Sequence, residues 1–322
     1  MKGQLRKIII FACLFTSLCS FCGCKSKTPG VVGVPSSVAP ASPPQTTQSS
    51  MFPVSEILLP EKSGQANETE HAGIDYGNMA DGYIMAWYTG EKLAKLQVKM
   101  GETKYNYDLN NEGNAEVFPL QLGDGAYTIK VLEQTEGTMF LPIVTQEIEV
   151  TLKTEFEPFL RPSQYSNYNA DSLCVQKAKE LAVGCTSDVE VVSKVYEYIK
   201  ENIKYDAEKA EVATKQTDYL PDPDETLETG QGICFDYASL VCAMLRSNGI
   251  PTKLITGYVS PTGLYHAWNE IYLQEEGWVE MKIYVDLKTW KIIDLTFAAG
   301  MSSQDIANYI GDGENYTTRY IY

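Results

Sequence analysis

The 322-residue sequence predicts an α+β fold preceded by a small all-β sandwich. Three observations carry this expectation. Short alternating runs separated by polar turns fill residues 52–154, and the apolar period then becomes helical through Asn202. Alternating runs return after a cysteine-bearing helix. Helices first and antiparallel strands afterwards indicate α+β, not a doubly wound sheet.

Met1 to Lys7 form a charged n-region, followed by an apolar core too short to span a bilayer comfortably. Phe21-Cys22-Gly23-Cys24 resembles a bacterial lipobox. Cys24 is therefore the expected lipidation site, with Cys22 and Cys19 as other acceptors and an ordinary cleaved signal peptide as the alternative. On either reading the mature chain is exported, and the lipid anchor makes the membrane a partner at the extracellular face. Residues 25–51 are rich in Pro, Ser and Thr, contain no aromatic residue, and read as a flexible tether.

Loss of Lys2, Arg6 and Lys7 with the leader takes the formal charge from −16 to −19. A surface this acidic argues against nucleic acid as a partner, since phosphate backbones are bound by lysine and arginine. The apolar content of 44% suits a folded chain.

In the sandwich, Tyr83–Tyr88, Lys95–Met100, Lys104–Leu109, Ala126–Leu132 and Gln146–Leu152 read as strands. His71 sits in a polar run and reads as a loop residue. The roles open to this domain are spacer, substrate-docking module or packing partner. Glu155–Asn169 links it to the second domain, residues 155–322.

Helices are expected over Asp171–Val183 and from Ser187, where Glu190 completes a capping-box pattern. Asp218 to Asp224 read as a proline-fixed loop rather than a calcium site. Four cysteines lie outside the leader. Cys174 and Cys185, ~16 Å apart if one helix continued through both, are too far to bridge. With Cys242 they read as buried apolar residues, a pairing of Cys242 with either of the other two being the alternative.

Cys234 is different. It follows Gly230 and Gly232, and Phe235, Ala238, Val241, Cys242 and Leu245 trace one helical face beyond it. A cysteine at a helix N-terminus meets free N–H groups that favour the thiolate. Gly249 and Pro251 stop the helix, and strands follow over Thr252–Val259, Tyr265–Leu273, Trp278–Val285 and Trp290–Phe297.

Only two histidines are present, and His266, on a strand, is the candidate base. Asp294 is a lone acid in an apolar run, where a carboxylate needs a partner, and a neighbouring strand bearing the histidine would supply one.

Gly232-Ile233-Cys234-Phe235-Asp236-Tyr237-Ala238, His266-Ala267-Trp268-Asn269-Glu270 and Asp294-Leu295-Thr296 together resemble the transglutaminase-like superfamily, over about residues 170–298. The resemblance implies a papain-like core with the nucleophile helix packed on an antiparallel sheet. It implies Cys234 as nucleophile, His266 as base and acid, and Asp294 as the orienting carboxylate. It further implies attack on an amide or peptide carbonyl through a thioester, with a protein or peptide substrate, cell-wall peptides included, and no cofactor or metal. Trp268 and Tyr205 are candidates for the substrate cleft. Asp236 and Glu270 read as structural residues. The 27 residues between His266 and Asp294 suggest an added hairpin around Lys282–Lys288. The rival reading is a surface binding or adhesion module that keeps the fold without turnover.

Overall fold

The computed structural model describes residues 52–213, 219–259, 264–281, 284–286, 291–293 and 316–322. The leader with its cysteines, the tether, Asp218, and residues 294–315, Asp294 among them, lie outside them.

Eight strands make two four-stranded antiparallel sheets. One holds β1 (Ala66–Glu68), β2 (Ala72–Asp75), β3 (Tyr83–Tyr88) and, beyond β3, β6 (Glu116–Pro119). The other has the order β5-β4-β7-β8, with β4 at Ala94–Met100, β5 at Thr103–Leu109, β7 at Gly125–Gln134 and β8 at Phe140–Val150. Alternation is clearest on β4 and β7, where Leu96, Val98, Ile129 and Val131 point inward and are fully buried. His71 lies in the tight connection between β1 and β2, with its side chain 63% exposed.

The second half opens with α1 (Leu173–Ala182) and α2 (Asp188–Asn202). Ser187 caps α2 by accepting from the Glu190 N–H at 3.3 Å, and Glu190 reaches back to the Thr186 N–H at 2.7 Å. A two-residue strand, β9 (Lys204–Tyr205), is followed by α3 (Ala207–Ala213) and α4 (Pro223–Thr229). The proline loop therefore contains a helix start. Asp222 caps α4, accepting from the Asp224 and Glu225 N–H groups at 2.9 and 3.1 Å. The Asp224 carboxylate accepts from the Leu173 and Cys174 N–H groups at 3.1 and 2.9 Å, holding the start of α1. Both acids thus serve helix N-termini, where backbone donors otherwise lack partners.

Next come β10 (Gln231–Gly232), paired in parallel with β9, and then α5 (Cys234–Arg246). The antiparallel sheet behind α5 has the order β13-β12-β11-β16, with β11 at Thr252–Val259, β12 at Leu264–Leu273, β13 at Gly277–Met281 and β16 at Tyr316–Ile321. The expected strand Trp278–Val285 is broken, because β14 (Tyr284–Asp286) leaves this sheet to pair with β15 (Lys291–Ile293).

Helix α5 is buried along almost its whole length and faces two cores. Tyr237, Leu240, Val241, Met244 and Leu245 pack with α1 and α2. Ala238 and Cys242 join Leu254, Ala267 and Tyr322 in a cluster continuous with the sandwich interior. Residues 48–322 accordingly form one compact unit.

Cys174, Cys185, Cys234 and Cys242 are all unpaired. Cys174 and Cys185 do not share a helix, in keeping with the expected helix end near Val183. α1 stops at Ala182, Gly184 takes φ 78°, and the Cys185 thiol turns back to the Leu181 carbonyl.

Candidate active site

The turn ahead of Cys234 is built from two glycines with different duties. Gly230 ends α4 in the left-handed region at φ 64°, and its N–H donates to the Thr226 carbonyl at 3.1 Å. Gly232 is needed for space. A Cβ there would lie 2.8 Å from the Asp236 Cβ and 3.2 Å from the Thr226 Cγ2. The close approach is therefore to the helix's own first turn.

Asp236 is fully buried at that turn. Its Oδ2 accepts from the Ile233 N–H at 2.8 Å and meets the Lys209 Nζ at 3.1 Å, while Oδ1 accepts from the Tyr219 hydroxyl. The structural role read for Asp236 is what these contacts describe. Lys209 and Tyr219 had no sequence signal, since α3 is short and Tyr219 sits in the proline loop. Glu270 pairs with Lys253 at 3.0 Å, and the Lys253 ammonium lies 3.7 Å from the centroid of the Trp278 ring.

Cys234 is half-buried, whereas the other three described cysteines are buried. It packs against the cluster that contains Ala267, whose N–H draws the pKa of its thiol down. Ala267 directly follows His266, so β12 brings the histidine position alongside the cysteine. The thiol is not the acidic group its helix position suggested. Burial pushes it up to about 11, and the Asp236 charge adds to the rise. The N–H groups of Ala267, Phe235 and Cys234 pull the other way without overcoming burial. The helix-end effect is present, but desolvation exceeds it.

His266 is half-buried on β12 opposite Gly257 of β11. Its ring stacks on that of Trp268 at 6.4 Å between centroids. The expectation that Trp268 lines the substrate cleft is corrected. The indole is 2% exposed and packs beneath Gly257, where a Cβ would come 2.9 Å from its Cη2. Tyr205 does stand beside the site. Burial, then the charge of Cys234, push its phenol up to about 12.

Asp294 lies outside the described residues. The strand leading to it, β15, pairs with β14 and packs beside β9, and at 291–293 it is not a ladder neighbour of β12. β11 runs along one edge of β12, and β13 takes the other edge only from Asn269 to Leu273. Whether Asp294 itself stands beside His266, as the sequence suggests, falls outside the described residues. The added hairpin is met by the 284–293 ladder.

Asn269 locks helix to sheet. Its Nδ2 donates to the Ala238 carbonyl at 3.0 Å and the Lys253 carbonyl at 3.1 Å, and lies 3.2 Å from the Cys242 sulfur. At the far end of α5, the buried Arg246 guanidinium donates to the carbonyls of Thr252, Arg161 and Tyr322 at 2.8, 2.9 and 3.0 Å. Among the described residues no cluster of three or more His, Cys, Asp or Glu could hold a metal ion. Nor is any helix there long and apolar enough to cross a membrane.

A helix that starts at a half-buried cysteine and packs on an antiparallel sheet, with a histidine strand passing its first turn, defines an α+β core of the papain type. Residues 175–283 match the family model of the transglutaminase-like superfamily. Relatives include an uncharacterized protein, YebA, of Bacillus subtilis, 29% identical over 126 residues, which are 32% of this chain and 17% of the relative. A protein-glutamine gamma-glutamyltransferase of Pseudomonas aeruginosa is 33% identical over 70 residues, 18% of this chain and 10% of its own. Kyphoscoliosis peptidase of Mus musculus is 27% identical over 125 residues, 36% and 16% of the two chains. The chain thus matches less than a fifth of the length of each. Among solved structures, red sea bream transglutaminase aligns with 65% of this chain and 49% of its own at 12% identity and a TM-score of 0.28.

Proposed function

We propose that this protein is an exported, lipid-anchored cysteine enzyme that cleaves or transfers acyl groups at amide bonds of proteins or peptides. The observation that carries the reading is the half-buried Cys234 at the first turn of α5, packed against the cluster that holds Ala267, the residue after His266.

In the proposed reaction His266 takes the thiol proton as the Cys234 sulfur attacks the substrate carbonyl, and Asp294 orients the imidazole. A thiol that is neutral when alone requires such a base, because attack comes from the thiolate. The C–N bond of the tetrahedral intermediate breaks, the amine leaves with the proton from His266, and a thioester remains on Cys234. Water or a second amine then releases the acyl group. The Cys234 N–H, in the first helical turn, is the proposed oxyanion donor. Tyr205 forms part of the cleft wall.

Names of relatives fit both outcomes, one being a glutamine transferase and another a peptidase. Cell-wall peptides are among the substrates an anchored enzyme of this kind would meet. The test is labelling with a thiol electrophile and mass spectrometry of the acyl-enzyme trapped from a cell-surface extract. The reading expects a thioester on Cys234 that is absent from Cys234→Ala and from His266→Ala. If Cys234 in the unaltered protein labels no faster than an ordinary thiol across the neutral range and traps no acyl group, the binding-module reading replaces it.

A further inference from the structure

Asp236 places a buried carboxylate in the first turn of the helix whose first residue is Cys234. A negative charge there opposes a second one on the neighbouring sulfur. Yet the carboxylate has a structural duty. Its Oδ2 holds the Ile233 N–H at 2.8 Å, and so fixes the backbone immediately before the cysteine. The site therefore needs the carboxylate and needs its charge offset.

Two side chains from outside α5 meet that need. The Lys209 Nζ lies 3.1 Å from Oδ2, and the Tyr219 hydroxyl donates to Oδ1. The two also touch each other, with the ammonium 5.4 Å from the centre of the Tyr219 ring. α3 contributes no buried residue, and its Lys209 reaches this turn. Asp206, Glu225, Tyr205 and Tyr237 also face the cluster, the first two as anions. Cys234 itself is faced by Asp236 from its own helix, by Tyr205 from β9, and by the Ala267 N–H from the strand that carries His266. Lys209 pairs with Glu225 only at 4.0 Å, against 3.1 Å for Asp236.

We propose that Lys209 and Tyr219 are positioning residues for Cys234 that act through Asp236. They hold its carboxylate under the turn and cancel the charge that would oppose a Cys234 thiolate. The inference rests on Cys234 as the reactive thiol, but its readout needs no turnover.

The experiment follows iodoacetamide alkylation of Cys234 by peptide mass mapping across the neutral range in the full chain. Lys209→Met removes the cation and leaves Asp236 bare, so the alkylation rate near neutrality falls roughly tenfold. Lys209→Arg restores the original rate. Tyr219→Phe lowers it by less, because one neutral donor is lost and the ion pair stays. Near-UV circular dichroism checks that each variant keeps its packing. A Lys209→Met profile that overlays the unaltered protein overturns the proposal. His266→Ala, run alongside, tests the proposed base separately. If it changes neither alkylation near neutrality nor acyl trapping, the enzyme reading fails, while the Lys209 effect is still read from the thiol itself.

Discussion

Gly232→Ala is the smallest change that interrogates the turn before Cys234. The added Cβ would sit 2.8 Å from the Asp236 Cβ, 3.2 Å from its Oδ2 and 3.2 Å from the Thr226 Cγ2. Carbon atoms pack best at about 3.5–4.0 Å, so the nearest contact must open by roughly 1 Å. Asp236 cannot rotate out of the way, since three donors hold its carboxylate and its Cβ is fixed to the helix backbone. The first turn of α5 must move instead, or β10 must draw away from β9. Overpacking of this kind costs about 1–3 kcal/mol. At roughly 2–4 °C per kcal/mol, the melting temperature falls by about 2–12 °C. Gly230→Ala is the control. It forces a left-handed φ of 64° on a residue with a Cβ, which costs about 1–2 kcal/mol, but at the end of α4. Thermal unfolding combined with Cys234 labelling separates the two. Both variants melt lower, and only Gly232→Ala changes the labelling rate. A Gly232→Ala protein that melts within about 1 °C of the original and labels at the same rate would refute the steric reasoning.

Asn269→Ala removes the side-chain bonds that tie Ala238 of α5 and Lys253 of β11 together and should destabilise by about 1–3 kcal/mol, read as a lower denaturation midpoint. Arg246→Met removes donors from three carbonyls on three separate segments, so hydrogen exchange at Leu254 and Tyr322 should accelerate well beyond the rest of β11. Alkaline titration should unfold the chain cooperatively. Burial raises the phenols of Tyr107, Tyr127, Tyr165 and Tyr322 above their ordinary value of 10.0, so the protonated form is favoured in the folded state. Stability is then complete below the unfolded value and falls as pH rises past it. Tyrosinate absorbance should therefore appear together with loss of near-UV circular dichroism. If it appears first, over a folded baseline, those rings are not buried as described.

How much of this was legible depended on the length of each signal. β11 follows the alternation of Thr252–Val259 residue for residue, and the run Tyr83–Tyr88 is β3. β1, β2 and β6 have three or four residues each, too few for a period to show. α4 was readable in principle. Asp222 followed by Pro223 is a cap with proline at the first helical position, but two prolines in one short stretch suggested a loop instead. At the site, local order along the chain marked Cys234 and His266, because both stand in extended motifs. Lys209 and Tyr219 stand in none, and only the fold brings them to Asp236. The thiol shows the same division. Helix position is a local property and was read correctly, whereas burial is a tertiary one and outweighs it.

The same reasoning bears on why a sandwich precedes the core. Tyr322 completes β11 through paired bonds with Leu254 at 2.7 and 2.9 Å, and the Ile321 N–H donates to the Tyr105 hydroxyl at 3.3 Å. The Tyr322 ring lies 5.7 and 5.9 Å from those of Tyr105 and Tyr107 on β5, and 4.6 Å from Tyr165 in the linker. Tyr165 in turn lies 5.4 Å from Phe235, the residue after Cys234. A continuous aromatic wall thus runs from a sandwich strand to the first turn of α5. Rings in tilted and edge contacts tolerate little displacement, since each is fixed by its neighbours on both sides. The sandwich is therefore a buttress for the turn that carries Cys234. A detachable spacer would not place its own tyrosines in the core that positions that helix.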